Sequence, residues 1–181
     1  MLLDNYYKLI AMSFGKSITR GGSPIDFTTL TGATVSMRKH GSHTSSYYDT
    51  LGLAFGETIA GNLTSSYGTA FGTGTTPPTL SDYTLSGDLI TGLSVTTARS
   101  VKEDESGVTC SLLHTVVNNN SDEVTIGEVS YIAQVTGFNG TSSNITNCYC
   151  LIERAVLDEP VTIPAGGVGQ VTYTIRIIYP T

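Results

Sequence analysis

The chain has 181 residues, of which 13% are charged and 39% are hydrophobic. This length and composition fit one compact domain with an appendage, and they exclude both two full domains and a chain that is disordered throughout. Thr and Ser together occupy 47 positions, and there are 20 Gly and 10 Tyr but no Trp. Because Thr and Tyr favour strands and Gly marks turns, the composition predicts an all-β fold.

The net charge of −6 is distributed unevenly along the chain. Residues 1–40 carry a net charge of +3, the remainder carries −9, and residues 51–98 contain no Lys or Arg. A surface that follows nucleic-acid phosphates would have to be built without that stretch, so no nucleic-acid binding is predicted. The basic N-terminal segment is suited instead to an acidic surface of a partner.

The three cysteines, Cys110, Cys148 and Cys150, form a poor disulfide framework, because their number is odd and two of them are only two positions apart. They indicate a reducing compartment, and small buried thiols are favoured over a thiolate metal site. The sequence shows no secretory signal pattern and no apolar run of about 18 residues, so no membrane contact is predicted.

The first predicted element is a short amphipathic helix. Asp4 fits its N-cap, Gly15 fits its end, and the residues at helical spacing between them are Leu3, Tyr6, Tyr7, Ile10 and Phe14. A helix of about ten residues is marginal alone and needs a surface to pack against. That surface is either the chain's own domain or a neighbouring subunit, and in the second case the predicted subunit contacts are Tyr6, Tyr7, Ile10 and Phe14.

Residues 15–75 are weakly patterned. Glycines interrupt them repeatedly, which leaves candidate strands only at 33–38 and 48–55. Such a long segment is unusual inside a compact domain, so it is either irregular structure or an extended arm that becomes ordered against partner chains. The chain is accordingly divided into a helix and irregular assembly region, residues 1–75, and a domain at 76–181.

Strand patterns follow from residue 76 onward. Candidate strands lie at 93–101, 108–118, 123–135, 147–156 and 168–179, with polar or Gly-containing turns between them. They predict an antiparallel β-sandwich, immunoglobulin-like or jelly-roll-like. The apolar positions of the third strand change parity after Ile126, which a bulge at Gly127 would explain. The predicted core positions are Val124, Ile126, Val129, Val171, Tyr173, Ile175 and Ile177.

The common catalytic signatures are absent from the sequence: no nucleophile elbow, zinc-binding His-Glu motif or dinucleotide loop occurs. His40 and His43 with Asp49 lie in a Gly/Ser-rich stretch without a further ligand pair, which favours a solvated loop over a metal site. The sequence therefore predicts no catalytic residue, no metal, no cofactor and no enzyme activity.

Other side chains are open to a functional or a structural interpretation. His114 lies in an apolar strand, where a hydrogen-bonded core histidine is favoured over a catalytic base. The acids at 103–105 and 158–159 are placed in turns and are expected to be solvated. Tyr47, Tyr48 and Tyr83 are candidate ligand-facing aromatics on loops, and packing under loops or across strands is the alternative.

Two segments resemble parts of small virion structural proteins of tailed bacteriophages and prophages. Residues 71–85, FGTGTTPPTLSDYTL, are similar to the GTGTTPPTLSDYxL stretch of those proteins, and residues 151–167 resemble the segment that precedes their final strand. Between them, residues 116–129 resemble the strand, polar turn and strand of immunoglobulin-like modules. The resemblance extends over residues 70–178 and says little about the first 70.

The resemblance implies a bacteriophage virion structural protein, with a capsid decoration or auxiliary protein attached by its N-terminal region as the favoured form. Its implied partners are other virion proteins and copies of itself in a homo-oligomer, and its implied location is the virion, after assembly in the bacterial host cytoplasm. A tail, neck or fibre component is the alternative within this class. A carbohydrate- or host-surface-binding module is the alternative outside it.

Overall fold

The computed structural model describes residues 25–38, 59, 67–139 and 145–178 together with Asn5 and Lys8, with the backbone alone at 38, 136–139, 145–147 and 175–177. The strands in this part of the chain are β1 (Ile25–Thr28), β2 (Thr34–Arg38), β3 (Gly68–Gly72), β4 (Leu93–Asp104), β5 (Gly107–Asn118), β6 (Val124–Asn139), β7 (Ile145–Ile163) and β8 (Val168–Ile178).

The strands form two antiparallel sheets. In the five-stranded sheet, β7 pairs along most of one edge of β6, so β2 and β3 share the other edge, with β1 beyond β2. In the three-stranded sheet, β5 lies between β4 and β8. The prediction of an all-β, antiparallel fold is therefore confirmed.

The two sheets face each other across one hydrophobic core, to which both contribute. Its buried members include Phe27, Met37, Phe71, Leu112, Val116, Ile126, Val129, Tyr131, Cys148, Cys150, Ile152, Ile163 and Val171. Full burial of a large apolar side chain stabilises the fold by about 1.5–3 kcal/mol, so this core is the main source of stability. The arrangement is β-sandwich-like.

The five-stranded sheet is also covered on its outer face. A second buried cluster lies there and consists of Leu30, Ile59, Ala70, Leu85, Ile132 and Leu151. The sheet is thus enclosed on both sides, which explains why β6 is buried at nearly every position from Ile126 to Val135. A strand that is covered on both faces has no exposed side, so polar and apolar residues do not alternate along it.

The predicted bulge in the third strand of the domain is confirmed. The pairing of β6 with β7 shifts between Ile126 and Glu128, so Ile126 and Val129 reach the same core despite their opposite parity. Val171 is buried with them.

The remaining predicted core positions are only partly covered by the description. Val124 and Tyr173 are half-buried against the core. The side chains of Ile175 and Ile177 lie outside the described residues.

The placement of Asp158 and Glu159 in a turn is wrong. β7 continues to Ile163, and residues 157–160 form an irregularity opposite Gly127, where both acids are exposed. Pro160 has no N–H to donate, and a break in the ladder is where a strand tolerates it. The prediction that these acids are solvated is confirmed.

Part of the segment predicted to be irregular is sheet. The candidate strand at 33–38 appears as β2, and β1 and β3 were missed. β3 is buried throughout and lies so close to β6 that a Cβ at Gly72 would overlap the Glu128 side chain. Glycine therefore marks a close approach at this position and not a turn.

The predicted strand at 48–55 and most of the predicted N-terminal helix lie outside the described residues. Asn5 is described and is buried: its Nδ2 donates to Thr28 O at 2.8 Å and to Leu151 O at 3.1 Å, and Thr28 N donates to its Oδ1 at 3.0 Å. This part of the N-terminal segment contacts the chain's own domain.

Candidate functional site

Residues 73–92 connect β3 to β4 and are called the 73–92 loop. The loop lies against the outer face of the five-stranded sheet, where Leu85 joins the second buried cluster. It is closed at its base by hydrogen bonds from Thr73 N to Asp88 O at 3.0 Å and from Ile90 N to Phe71 O at 2.9 Å. Loops longer than about 12–15 residues without strands of their own are uncommon and are often functional.

Two charged residues of the sheet lie beneath this loop. Glu128 of β6 pairs with Val156 and Arg154 of β7 pairs with Ser130, which makes the two charges diagonal neighbours on the outer face. Their exposed fractions are 0% and 2%, and Arg154 Nη1 lies 2.7 Å from Glu128 Oε2. An unpaired charge at such a position would be strongly unfavourable, so the pairing is required.

The Glu128 carboxylate also binds the backbone of the loop. Gly74 N and Gly87 N donate to Oε1 at 3.2 and 2.8 Å, and Ser86 N and Oγ donate to Oε2, both at 3.2 Å. These donors come from two separate parts of the loop, residues 74 and 86–87. A single buried carboxylate therefore fixes both parts against the sheet.

Arg154 binds the middle of the same loop. Its Nη2 donates to Thr76 O at 3.0 Å, and Nε and Nη2 donate to Asp82 Oδ2 at 3.0 and 2.7 Å. Asp82 in turn accepts hydrogen bonds from Thr79 N and Thr79 Oγ1, at 3.0 and 2.6 Å, within the turn that it closes. We call Asp82, Glu128 and Arg154 the buried charge cluster.

The cluster favours its own charged forms. Partial burial opposes ionisation of Asp82, but hydrogen bonds from Thr79 and the guanidinium of Arg154 outweigh it and hold the pKa of Asp82 below its usual value. Burial likewise opposes the charge on Arg154, and the two carboxylates nevertheless hold the pKa of Arg154 above its usual value. Both ends of the Asp82 pair are ionised at neutral pH.

The loop approaches the cluster so closely that only glycine fits at two positions. A Cβ at Gly74 would overlap Ser86 Oγ and Glu128 Oε1, and a Cβ at Gly87 would overlap the backbone of Gly74. The Gly-x-Gly pattern at residues 72–74 thus allows the backbone to pack closely against the Glu128 side chain.

The exposed part of the loop is held rigidly by these contacts. Leu80 is 57% exposed and Tyr83 is 40% exposed. The Tyr83 ring packs against Gly32, whose φ of +79° turns the chain between β1 and β2. Of the three candidate ligand-facing aromatics, Tyr83 is therefore accessible in part and packed in part, while Tyr47 and Tyr48 lie outside the described residues.

His114 is a hydrogen-bonded core histidine, as predicted. It is fully buried, and its Nδ1 lies 2.9 Å from Thr97 Oγ1 while its Nε2 lies 2.9 Å from the hydroxyl of Tyr131. Burial lowers the pKa of His114, so the neutral imidazole is the stable form in the fold.

A buried tyrosine pair extends this polar group between the sheets. The rings of Tyr131 and Tyr173 lie 5.1 Å apart, and the hydroxyl of Tyr173 donates to Glu153 Oε1. Burial and the nearby carboxylate raise the pKa of both phenols far above the usual value. Both tyrosines are therefore neutral at physiological pH. Their hydrogen bonds to His114 and Glu153 fix the orientation of these side chains between the two sheets.

The cysteines are thiols, and two of them are core residues. Cys148 and Cys150 are buried with their sulfurs 3.0 Å apart, and Cys110 is half-buried. The hydrogen bond between Cys148 and Cys150 lowers the pKa of Cys148, while that bond and burial raise the pKa of Cys150. This agrees with the prediction of small buried side chains.

The other predicted site residues divide between the described and undescribed parts of the chain. The placement of Glu103 and Asp104 in a turn is wrong, because they end β4 and only Glu105 lies in the β4–β5 turn; all three acids are exposed. Tyr6, Tyr7, Ile10, Phe14, His40, His43 and Asp49 lie outside the described residues. Within the described ranges, no three or more His, Cys, Asp or Glu residues are grouped so as to hold a metal ion.

The sequence interpretation missed the buried charge cluster. Its signal is the charge inside an apolar strand: Glu128 stands in VTIGEVSYIA and Arg154 in CLIERAVL, where a sheet covered on both faces leaves no exposed position. Two opposite charges in such positions are expected to pair.

Comparison with known proteins adds no relative: no protein-family model matches the chain, and no curated protein or solved structure is significantly similar to it. In the described part of the chain no helix has the length and apolar character needed to cross a membrane.

Proposed function

We propose that the protein is a non-enzymatic structural component of a tailed-bacteriophage particle, and specifically a capsid decoration or auxiliary protein. The observation that carries this proposal is the meeting of the two segments that resemble such proteins. Thr76 O and Asp82 belong to the first segment, Arg154 belongs to the second, and all three are joined by hydrogen bonds of 2.7–3.0 Å. Residues of both resembling segments thus help to hold the 73–92 loop on the sheet, which supports the proposal that the segments resemble those proteins because they share a fold.

The sandwich is of the immunoglobulin-like type in this proposal. The three-stranded sheet pairs β4 with β5 and β5 with β8, and β6 has β7 on one edge and β3 on the other. In an immunoglobulin domain, strands A, B and E are paired in the same way, and strand C pairs with F in the opposite sheet. The order β4-β5-β8 matches A-B-E and supports this type over a jelly roll, whereas β7, which pairs with β6, and β3, which precedes β4, depart from the immunoglobulin order.

Attachment to the particle is assigned to the N-terminal region, because residues 1–40 carry a net charge of +3. Within this region Asn5 is buried against the domain, next to Thr28 and Leu151. Many copies on one repeating lattice would strengthen weak individual contacts. The protein would be part of the virion, which assembles in the cytoplasm of the host bacterium. Its partners would be other virion proteins and copies of itself.

A deletion of residues 1–22 tests this attachment. Particles are assembled with the full chain or with the variant, purified on a density gradient and analysed for bound protein. The variant is expected to stay in the soluble fraction, while circular dichroism shows that the domain still folds. Asn5→Ala is the matched control, because it removes the contacts with Thr28 and Leu151 and keeps the basic segment; it should retain binding. Full incorporation of the deletion variant would refute attachment through this region.

A carbohydrate- or host-surface-binding module is the second candidate function. The partial exposure of Tyr83, next to the exposed Leu80 on a rigid loop, is the observation that favours it. A glycan array compares the full chain with Tyr83→Ala and, for the candidates outside the described residues, with Tyr47→Ala and Tyr48→Ala. Glycan binding that is lost in these variants would favour adhesion, and the absence of binding would leave the structural role.

A further inference from the structure

The three-stranded sheet ends on one side in β4, and β5 is the only described strand that pairs with β4. The last seven residues of β4, from Ala98 to Asp104, are all exposed, and Val101 among them is 69% exposed. We call residues 98–104 the open edge. A strand at the edge of a sheet presents a row of backbone N–H and C=O groups with which another strand can pair.

The pairing with β5 determines which backbone groups of the open edge point outward. Gly92 O accepts a hydrogen bond from Asn119 N, and the ladder of β4 and β5 that follows is regular to its end. Because successive residues direct their backbone groups to opposite edges of a strand, the even-numbered residues of β4 bond to β5. The N–H and C=O groups of Arg99, Val101 and Glu103 therefore point away from β5, toward an added strand.

We propose that the open edge pairs with the open edge of a second copy of this chain, in antiparallel direction and with a two-fold axis at Val101. Val101 then lies opposite the partner's Val101, and Arg99 lies opposite the partner's Glu103 on either side of the axis. Each of these pairs exchanges two backbone hydrogen bonds, because outward-pointing residues meet. The same patch serves both copies, as an isologous contact requires, and the two sheets become one continuous sheet.

Charge selects this register, and with it a second copy as the partner. In an antiparallel self-pair the two-fold axis passes through one residue of the open edge. An axis at any of the four charged residues of this segment would set like charges directly opposite each other, which is destabilising. An axis at Ala98 or Ser100 opposes no charges of opposite sign within the open edge. The axis at Val101 alone does so, in two pairs of Arg99 with Glu103.

The side chains at the axis are suited to pairing. Val101 is an exposed β-branched residue, and such residues pack well against one another across neighbouring strands. A lysine on an edge strand commonly prevents pairing. In the proposed register Lys102 lies opposite the partner's Ser100, and Asp104 follows it on the same side of its own strand, so the lysine meets no charge of its own sign directly.

The length of the open edge sets the expected strength. Seven residues of strand are about 24 Å long. A single pair of strands covers less than the roughly 1,000 Å² of a stable specific interface, so the dimer is weak in solution and depends on concentration. A particle that presents many copies would strengthen it, but the pairing itself does not depend on the proposed virion function.

Sedimentation of the full chain tests the pairing at concentrations from about 10 µM to about 1 mM. The wild type is expected to shift from monomer toward dimer across this range. Val101→Pro removes the N–H at the axis and none that bonds to β5, and should weaken the dimer at least about fivefold. Val101→Thr keeps the N–H and the branched shape and is the matched control. A wild type that stays monomeric, or equal association of the two variants, would overturn the proposal.

Exchange of the two charges tests the register and does not depend on how well Val101→Pro folds. Arg99→Glu and Glu103→Arg should each lose self-association, because like charges then lie opposite each other, whereas an equimolar mixture of the two should form dimers. Glu123→Arg makes the same change of charge at an exposed residue away from the open edge and should self-associate like the wild type.

Two results of the charge exchange would contradict the pairing: a mixture that stays monomeric, and a Glu103→Arg protein that associates as strongly as Glu123→Arg. Circular dichroism of each variant shows that the domain is folded. Binding to particles is measured separately, so a failure of the pairing is distinguishable from a failure of the virion role.

Discussion

Replacing Arg154 by methionine removes the centre of the buried charge cluster at nearly constant volume. The substitution deletes four hydrogen bonds, one to Glu128, one to Thr76 O and two to Asp82. Loss of one partner of a buried ion pair costs about 3–5 kcal/mol. Glu128 keeps its donors from the 73–92 loop, so the lower value applies, about 3 kcal/mol. For a domain of this size that corresponds to a decrease of about 6–12 °C in Tm.

Chemical and thermal unfolding measure this change directly. Arg99→Met is the matched control, since Arg99 lies exposed on β4 and its replacement should change stability by less than about 0.5 kcal/mol. Hydrogen exchange adds a local measurement: the amides of Gly74, Ser86 and Gly87 should exchange faster in Arg154→Met, while those of β5 keep their relative protection. An Arg154→Met protein as stable as the Arg99→Met control would refute the role assigned to the cluster.

The remaining predictions concern titration and close packing. The pKa of Asp82 is lowered in the fold, so its ionised carboxylate stabilises the protein above about pH 4, and this stabilisation is lost as the pH falls through the pKa of the folded state. Asp82→Asn should therefore reduce the dependence of the unfolding free energy on pH below about pH 4. The pKa of His114 is also lowered, so stability should fall as pH decreases below about 6.5, and His114→Gln should remove that slope in urea unfolding. Gly74→Ala should destabilise the fold by more than about 2 kcal/mol, whereas Gly166→Ala, at φ +67° with open space around it, should cost about 1 kcal/mol; equal losses in unfolding experiments would contradict the close approach at Gly74.

The strands from β4 to β8 were predictable because turns with distinct polar chemistry separate them. The bulge at Gly127 was also predictable, since a change of apolar parity has few explanations in a strand. β3 was not, because a five-residue strand that is buried on both faces and begins and ends in glycine carries no alternation. Its place depends on contact with β6, which is far away in sequence.

The candidate site was predictable only in part. The segment 71–85 was singled out by resemblance, and Asp82 lies within it, but its contact with Arg154 joins residues 72 positions apart. Pairing of Glu128 with Arg154 requires the register of β6 and β7, which local patterns do not specify. His114 was interpreted correctly because its apolar neighbours already implied burial.

Image reconstruction of intact particles from a phage or prophage that encodes the chain tests the central claim most directly. The account predicts density for the two-sheet domain at regularly repeated positions on the shell, with residues 1–22 directed toward a neighbouring virion protein. Absence of the chain from purified particles would contradict it.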